Sequence, residues 1–528
     1  MKRDEQRPGP SARDRLEAIE TAREALLDPA RPEAVANRRE RGMGTARSRV
    51  DDLLDAGSFR EIGALVQPDR SNELNRDLVA PADGAIVGTG RVAGREVCLV
   101  SQDFTVHGGS IGTVADRKMG RILHRAADRG LPMVMLLEGG GHRIQDGMNA
   151  AHFAAASPVF RDLSRLSGWV PTVAAILGQG FAGPTAYAAL ADFVVLIRGQ
   201  STMGIAGPAL VKAGIGEDVS KEDLGGAARQ VDDRGLADLA VDGEAECFEA
   251  IRRFLSYLPT NASEAPPSGP RDDPTERRED GLLDLVPANP RRAYDMRRVI
   301  ELVADSGSLF ELKPTYARNI LTAFARLGGR PVGFLANQPL HKAGVLDTAA
   351  CEKAAHFVAL CDAFGLPLAS FIDIPGMSIG SAAEETGLAR RSGRLFFEMG
   401  IATVPRVSIV VRKGYGGGYY AMGGGRAFDA DASYAWPTAE ICAMSIEGAV
   451  DVAYGRKIRA AEDPDGARRA MVERIRTQTD AENAAAGFGI DDVIDPRDTR
   501  RLLIETFESC PRRRPDRGPG RVRPISPI

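Results

Sequence analysis

VPTVAAILGQGFAGPTAYAAL (170–190) and VPRVSIVVRKGYGGGYYAMGGG (404–425) are one pattern written twice. In each, Val-Pro leads an apolar run of strand length, and a Gly-rich turn follows. A helix then begins near the turn, in the first copy at Pro184, because proline is favoured where a helix N–H has no partner anyway. Pro171 and Pro405 are each followed 12 positions later by a glycine, Gly183 and Gly417.

The repetition extends outward from these turns. A step of 235 positions carries Gly94-Arg95 onto Gly329-Arg330, Gly109 onto Gly344, and Lys118 onto Lys353. It carries Leu131-Pro132 onto Leu366-Pro367 and Glu138 onto Asp373, and brings Arg143 near the Pro375-Gly376 turn. His107 and His341 occupy nearly equivalent places. A unit of this length is a duplicated domain, since solenoid repeats run about 20–50 residues. Apolar runs at 97–100, 133–137, 173–177 and 193–197 alternate with Ala-rich helical stretches, and strands return near 332–336, 368–372 and 406–411. The pattern predicts α/β architecture in two tandem domains. Residues 259–281 hold five prolines and dense charge. They read as the linker between a 1–258 domain and a 282–528 domain.

With 528 residues and 43% hydrophobic content, the chain has ample material for two cores. A net charge of -4 argues against general nucleic-acid binding. No 18-residue apolar run predicts a membrane helix, and the opening MKRDEQRPGP is not a secretory signal. Six scattered cysteines without Cys-x-x-Cys predict a reduced, cytoplasmic protein with no metal site of that kind. The 511–528 tail, with six Arg and five Pro, reads as irregular and surface-docking.

Nucleophile elbow, P-loop and metal-ligand spacings are all missing. What stands out instead is amide-lined loops. Backbone N–H groups at Ala182 and Gly183, and at Gly417 and Gly418, would project from strand-to-helix turns and could stabilise charge growing on an oxygen. Such glycines also serve tight turns. Their equal spacing in both halves favours two oxyanion holes, which suits a reaction of two enolate-like partners in which one substrate supplies the base.

Eleven or so stretches, in order, resemble the carboxyltransferase β subunits of biotin-dependent acyl-CoA carboxylases. Among them are TARSRVDDLLDAGSF (45–59), SQDFTVHGGSIG (101–112), RIQDG (143–147), GPALVKAGIGEDVSKEDLGGA (207–227), FIDIPGM (371–377), RKGYGGGYYAMG (412–423) and AWPTAEI (435–441). The resemblance covers about residues 35–528. It implies a pair of crotonase-like domains, the first binding acyl-CoA and the second binding biotin, in a homo-oligomer of hexamer type. It implies transfer of a carboxyl group from carboxybiotin to an acyl-CoA of propionyl, acetyl or methylcrotonyl type. Ala182 and Gly183 then fall on the thioester side and Gly417 and Gly418 on the ureido side, with Gly140, Gly141, Arg143, Gly376 and Tyr420 toward the substrates. The chain shows no biotin-accepting Met-Lys-Met segment and no ATP-grasp domain, so biotin is expected on a separate α subunit that also makes carboxybiotin. A decarboxylase or transcarboxylase subunit would use the same loops, and a non-catalytic scaffold subunit is the reading from another class. The family's Asp-Ser-Gly-Gly-Ala-Arg-Ile is EGGGHRI here (138–144), and its Ala-Gly-Gly-Ala is FAGP (181–184). These departures gather on the acyl-CoA side and predict an altered acyl pocket.

Overall fold

The computed structural model describes residues 10–513 and 523–526. Most of the MKRDEQRPGP start and of the basic tail lies outside the described residues. The chain divides into two compact units. The first comprises 1–166, 172–230 and 240–252; the second comprises 167–171, 231–239 and 253–528. Residues 259–280 form no helix or strand and belong to the second unit, where Gly269 N–H bonds Gly329 O at 2.8 Å.

The first unit's strands are β1 (Arg60–Glu61), β2 (Ala85–Val92), β3 (Arg95–Gln102), β4 (Met133–Leu137), β5 (Thr172–Ile176), β6 (Gln179–Phe181), β7 (Phe193–Ile197), β8 (Thr202–Gly204) and β9 (Leu239–Val241). Seven form one sheet in the order β1-β2-β3-β4-β5-β7-β9, while β6 pairs with β8. β1, β2 and β3 are antiparallel, and β3, β4, β5 and β7 run parallel. β4, β5 and β7 are buried along their whole length. That is why they read as unbroken apolar runs rather than alternating ones.

The second unit repeats the plan with β10 (Phe310–Leu312), β11 (Ile320–Leu327), β12 (Arg330–Asn337), β13 (Leu368–Ile374), β14 (Arg406–Tyr415), β15 (Ala432–Ala435), β16 (Glu440–Cys442) and β17 (Asp492–Val493). The sheet order is β10-β11-β12-β13-β14-β15-β17, with β16 also on β14. Phe334, Phe371 and Trp436 fill its core.

The step of 235 holds at the level of single residues. The Thr113–Arg129 helix ends on left-handed Gly130, and the Thr348–Phe364 helix ends on left-handed Gly365. Each helix buries a lysine. Lys118 Nζ donates to Ala82 O (3.1 Å) and Ala85 O (2.6 Å); Lys353 Nζ donates to Lys313 O, Tyr316 O and Ile320 O at 2.8–2.9 Å. Both ammonium groups satisfy carbonyls at the entrance to the second strand of their sheet, so the duplicated lysines are structural. His107 pairs with Lys342 rather than His341: the two share a left-handed φ, +48° and +47°.

No helix among the described residues is long and apolar enough to cross a membrane.

Candidate active site

In the first unit the chain leaves β4 through Glu138-Gly139-Gly140-Gly141. Its amides are claimed one after another. Glu138 N–H donates to Gln102 Oε1 (3.0 Å), Gly139 N–H to Gln179 O (2.5 Å), Gly140 N–H to Gly108 O (3.3 Å) and Arg143 N–H to Ile111 O (2.8 Å). Gly141 O accepts from Ile111 N–H at 3.0 Å. The N–H of Gly141 makes no hydrogen bond among the described residues. Beside it lies the turn from β6 into the Gly183–Ala188 helix. A Cβ built on Gly141 would stand 3.0 Å from Ala182 Cβ and 3.4 Å from Gly183 N. The Gly183 N–H is likewise unclaimed among the described residues, as expected for the first residue of a helix. Two adjacent N–H groups without partners can hold an anionic oxygen.

The second unit builds the same loop pair. Asp373 N–H donates to Asn337 Oδ1 (3.3 Å), as Glu138 does to Gln102, and the longer acid is matched to the longer amide. Leu346 N–H donates to Gly376 O (3.3 Å) and Ser378 N–H to Leu346 O (2.9 Å), repeating Ile111, Gly141 and Arg143. β14 then turns into the Gly416–Ala421 helix. The N–H groups of Gly376, Gly417 and Gly418 have no partner among the described residues. A Cβ on Gly418 would stand 3.3 Å from Gly376 C, so these two loops also touch.

Both loop roots rest on buried acids. Glu138 is held by the two terminal nitrogens of Arg38 (2.7 Å each) and by Arg49 (2.5 Å), which also reaches Glu244. Asp373 takes Arg412 Nε and Nη2 (3.0 Å each). Burial pushes the neighbouring Tyr294 phenol well above its ordinary range, and the Asp373 carboxylate adds to the shift. The backbones close on each other beside these acids. A Cβ on Gly109 would collide with Glu138 O, and one on Gly344 would lie 2.7 Å from Asp373 O. Only glycine fits there, at φ +69° and +77°.

A family model for the carboxyl transferase domain matches residues 37–517. The chain belongs to the carboxyl transferase family. It is 39% identical over 515 residues to the propionyl-CoA carboxylase carboxyltransferase subunit of Haloferax mediterranei, covering 96% of this chain and 99% of that one. It is 37% identical over 486 residues to the methylmalonyl-CoA decarboxylase subunit alpha of Veillonella parvula, covering 92% and 93%. The structure of the transcarboxylase 12S subunit, a hexamer with methylmalonyl-coenzyme A bound, superposes with a TM-score of 0.90 at 36% identity over 96% of each chain. The two α/β halves are therefore crotonase-like, and the chain is an enzyme component of the acyl-CoA carboxyltransferase kind.

Within this carboxyl transferase, three of the residues expected at the site are placed differently. Ala182 N–H donates to Gly204 O at 2.9 Å, so it is not free to meet a substrate oxygen. The repeat explains why. Ala182 corresponds to Gly416, both at φ +60°, while Gly183 corresponds to Gly417 and Pro184 to Gly418. The donor next to Gly183 is Gly141, across the loop. Arg143 is 1% exposed, and its guanidinium pairs with Asp83 and with Asp83 O (3.1 Å). Asp83 also accepts from Val114 and Ala115 N–H at the start of the Thr113–Arg129 helix. Arg143 thus braces the loop from beneath and touches no open surface. Gly140 has its amide claimed by Gly108. Tyr420 is half exposed, 5.4 Å from Tyr419 between ring centres, on a cleft of about 620 Å³ that includes Arg426, Thr479 and Asn483. Asp83, Arg38, Arg49 and Glu244 were not legible as parts of the site. Their partners lie 60 to 195 positions away along the chain, and no local spacing marks them.

Proposed function

We propose that this chain is the carboxyltransferase subunit of an acyl-CoA carboxylase, with acyl-CoA on the first unit and biotin on the second. One observation carries the reading. Each unit holds a set of adjacent backbone N–H groups with no partner among the described residues, Gly141 with Gly183 and Gly376 with Gly417 and Gly418. Biotin enters as a substrate brought by another chain, and carboxybiotin supplies the carboxyl group. The second loop pair suits a ureido oxygen. Among the described residues, nothing lies within 4 Å of where a Cβ on Gly376 would stand, and at Gly417 only Met377 Sδ does, at 3.9 Å.

Gly141 and Gly183 would hold the thioester oxygen as the α-carbon gives up its proton to the ureido nitrogen that has just released the carboxyl group. The new C–C bond then forms between that carbon and carbon dioxide. Gly417 and Gly418 would hold the ureido oxygen while negative charge resides there. Preorganised amides need no reorientation as charge develops, and each is worth about 10²–10³ in rate. Pro184, standing where the second unit has Gly418, leaves the first set one donor shorter. The unclaimed Gly141 and Gly183 amides favour a working site over a scaffold role despite the altered FAGP and EGGGHRI loops.

The same loops run transfer in reverse, and relatives named as decarboxylase and transcarboxylase subunits match almost as well as the carboxylase. A hexamer, as in the transcarboxylase 12S structure, a separate biotin-bearing α subunit and a cytoplasmic location complete the proposal. Propionyl-, acetyl- and methylcrotonyl-CoA are the first candidates for the acyl group.

The test is decarboxylation of malonyl-, methylmalonyl-, methylglutaconyl- and glutaconyl-CoA by the purified chain with free biotin. Biotin-dependent turnover of one of them is the expected result. Silence on all four, repeated with a biotinylated α subunit present, would sink the reading.

A further inference from the structure

We propose that Arg38 is a positioning residue that couples a substrate cleft to the amide pair of the first unit. The inference rests on the function proposed above and deepens it. A cleft of about 560 Å³ opens in the first unit between two walls. One wall is the start of the Pro32–Glu40 helix, with Arg31, Pro32 and Glu33; the other is the Thr105–His107 segment. Both walls run directly into the root of the Glu138–Gly141 loop.

The helix wall reaches it through Arg38, one and a half turns along. Arg38 Nη1 and Nη2 grip the two Glu138 oxygens at 2.7 Å each, its Nε donates to Gly44 O at 3.0 Å, and its guanidinium lies 5.5 Å over the Phe104 ring. The group is buried, so this fork holds one geometry rather than fluctuating in solvent. The second wall continues from His107 into Gly108, whose carbonyl accepts Gly140 N–H, and into Gly109, whose backbone abuts Glu138 and Gly139. A ligand filling the cleft presses on the two elements that fix the loop carrying the Gly141 amide. The second unit holds the corresponding acid differently. Asp373 is held there by Arg412, which lies on β14 of the same sheet.

The cleft would take the non-reacting part of coenzyme A. Binding of that part would hold the amide pair in its working geometry, so remote binding would appear in kcat rather than only in KM. Truncated thioesters should then turn over slowly even at saturation, and the difference should depend on Arg38.

The experiment compares the best thioester of the panel above with its pantetheine counterpart, in the wild type and in Arg38→Lys, which keeps the charge and loses the fork. The wild type should show kcat about tenfold or more higher for the CoA ester. Arg38→Lys should bring the two kcat values within about threefold by lowering the CoA value, with KM for the CoA ester changed less than about threefold. Glu138→Asp, which shortens the acid to the length found at Asp373, should do the same and serves if Arg38→Lys does not fold. A merely structural role would depress both kcat values together, and a preserved ratio in folded variants overturns the inference. A wild type silent toward every panel thioester would instead overturn the function on which it rests.

Discussion

Ala182→Gly tests the placement of the first amide pair, because it separates the donor suggested by sequence from the donors seen in the fold. Ala182 sits at φ +60°, ψ -112°, a region that costs a residue with a Cβ about 1–3 kcal/mol. Glycine removes that strain but gains freedom in the unfolded chain, worth about 0.4–1 kcal/mol against folding. The Ala182 methyl is exposed, so its removal leaves no cavity, and the bond to Gly204 O involves only the backbone. The balance is a stabilisation of about 1 kcal/mol, which for a unit of this size raises the melting temperature by about 2 °C. Calorimetry at fixed protein concentration measures it. Activity in the biotin-dependent decarboxylation assay should stay within about threefold of the wild type, since no substrate donor is touched. A fall in melting temperature would show that the backbone at Ala182 is unstrained. A loss of about tenfold or more in kcat at unchanged stability would refute the assignment to Gly141 and Gly183 and return Ala182 to the site.

Gly417→Pro should lower kcat by about 10²-fold or more while leaving KM for acyl-CoA near its wild-type value, because it deletes one N–H on the biotin side; steady-state kinetics decide it, and turnover within about tenfold of wild type would move the hole elsewhere. The duplicated lysines predict a pH dependence of stability. Burial pulls Lys118 down to about 8 and Lys353 down to about 7, against 10.5 for the free side chain. Between pH 7 and 8 the unfolded chain keeps both protons while the folded chain sheds them, so stability should rise with pH, by roughly 1 kcal/mol. Urea unfolding at the two pH values measures the slope, which should flatten in Lys353→Met; a wild-type slope near zero would mean that the carbonyl cages keep both ammonium groups charged.

The sequence by itself determined the duplication, the α/β class and the paired strand-to-helix loops. Each of these is written locally. Buried parallel strands must be continuous apolar runs, a helix that starts at a turn favours Pro or Gly, and a duplicated gene keeps its glycines where a Cβ would strike backbone, as at Gly109 and Gly344. The spacing even paired Gly183 with Gly417 correctly. What the spacing could not show is which amides are already occupied. Ala182 is claimed by Gly204, 22 positions on, and Gly140 by Gly108, 32 positions back. Gly141 becomes the partner of Gly183 only because β4 lies beside β5, from which the chain continues into β6, and the two loops meet at the ends of those strands. The buried charges are further from view. Arg143 looked like a ligand of substrate until the fold set it against Asp83, and nothing in the local sequence marked Arg38 and Arg49 as the buried partners of Glu138. A hydrogen bond is satisfied by whatever group stands in reach, and only the tertiary structure decides which group that is.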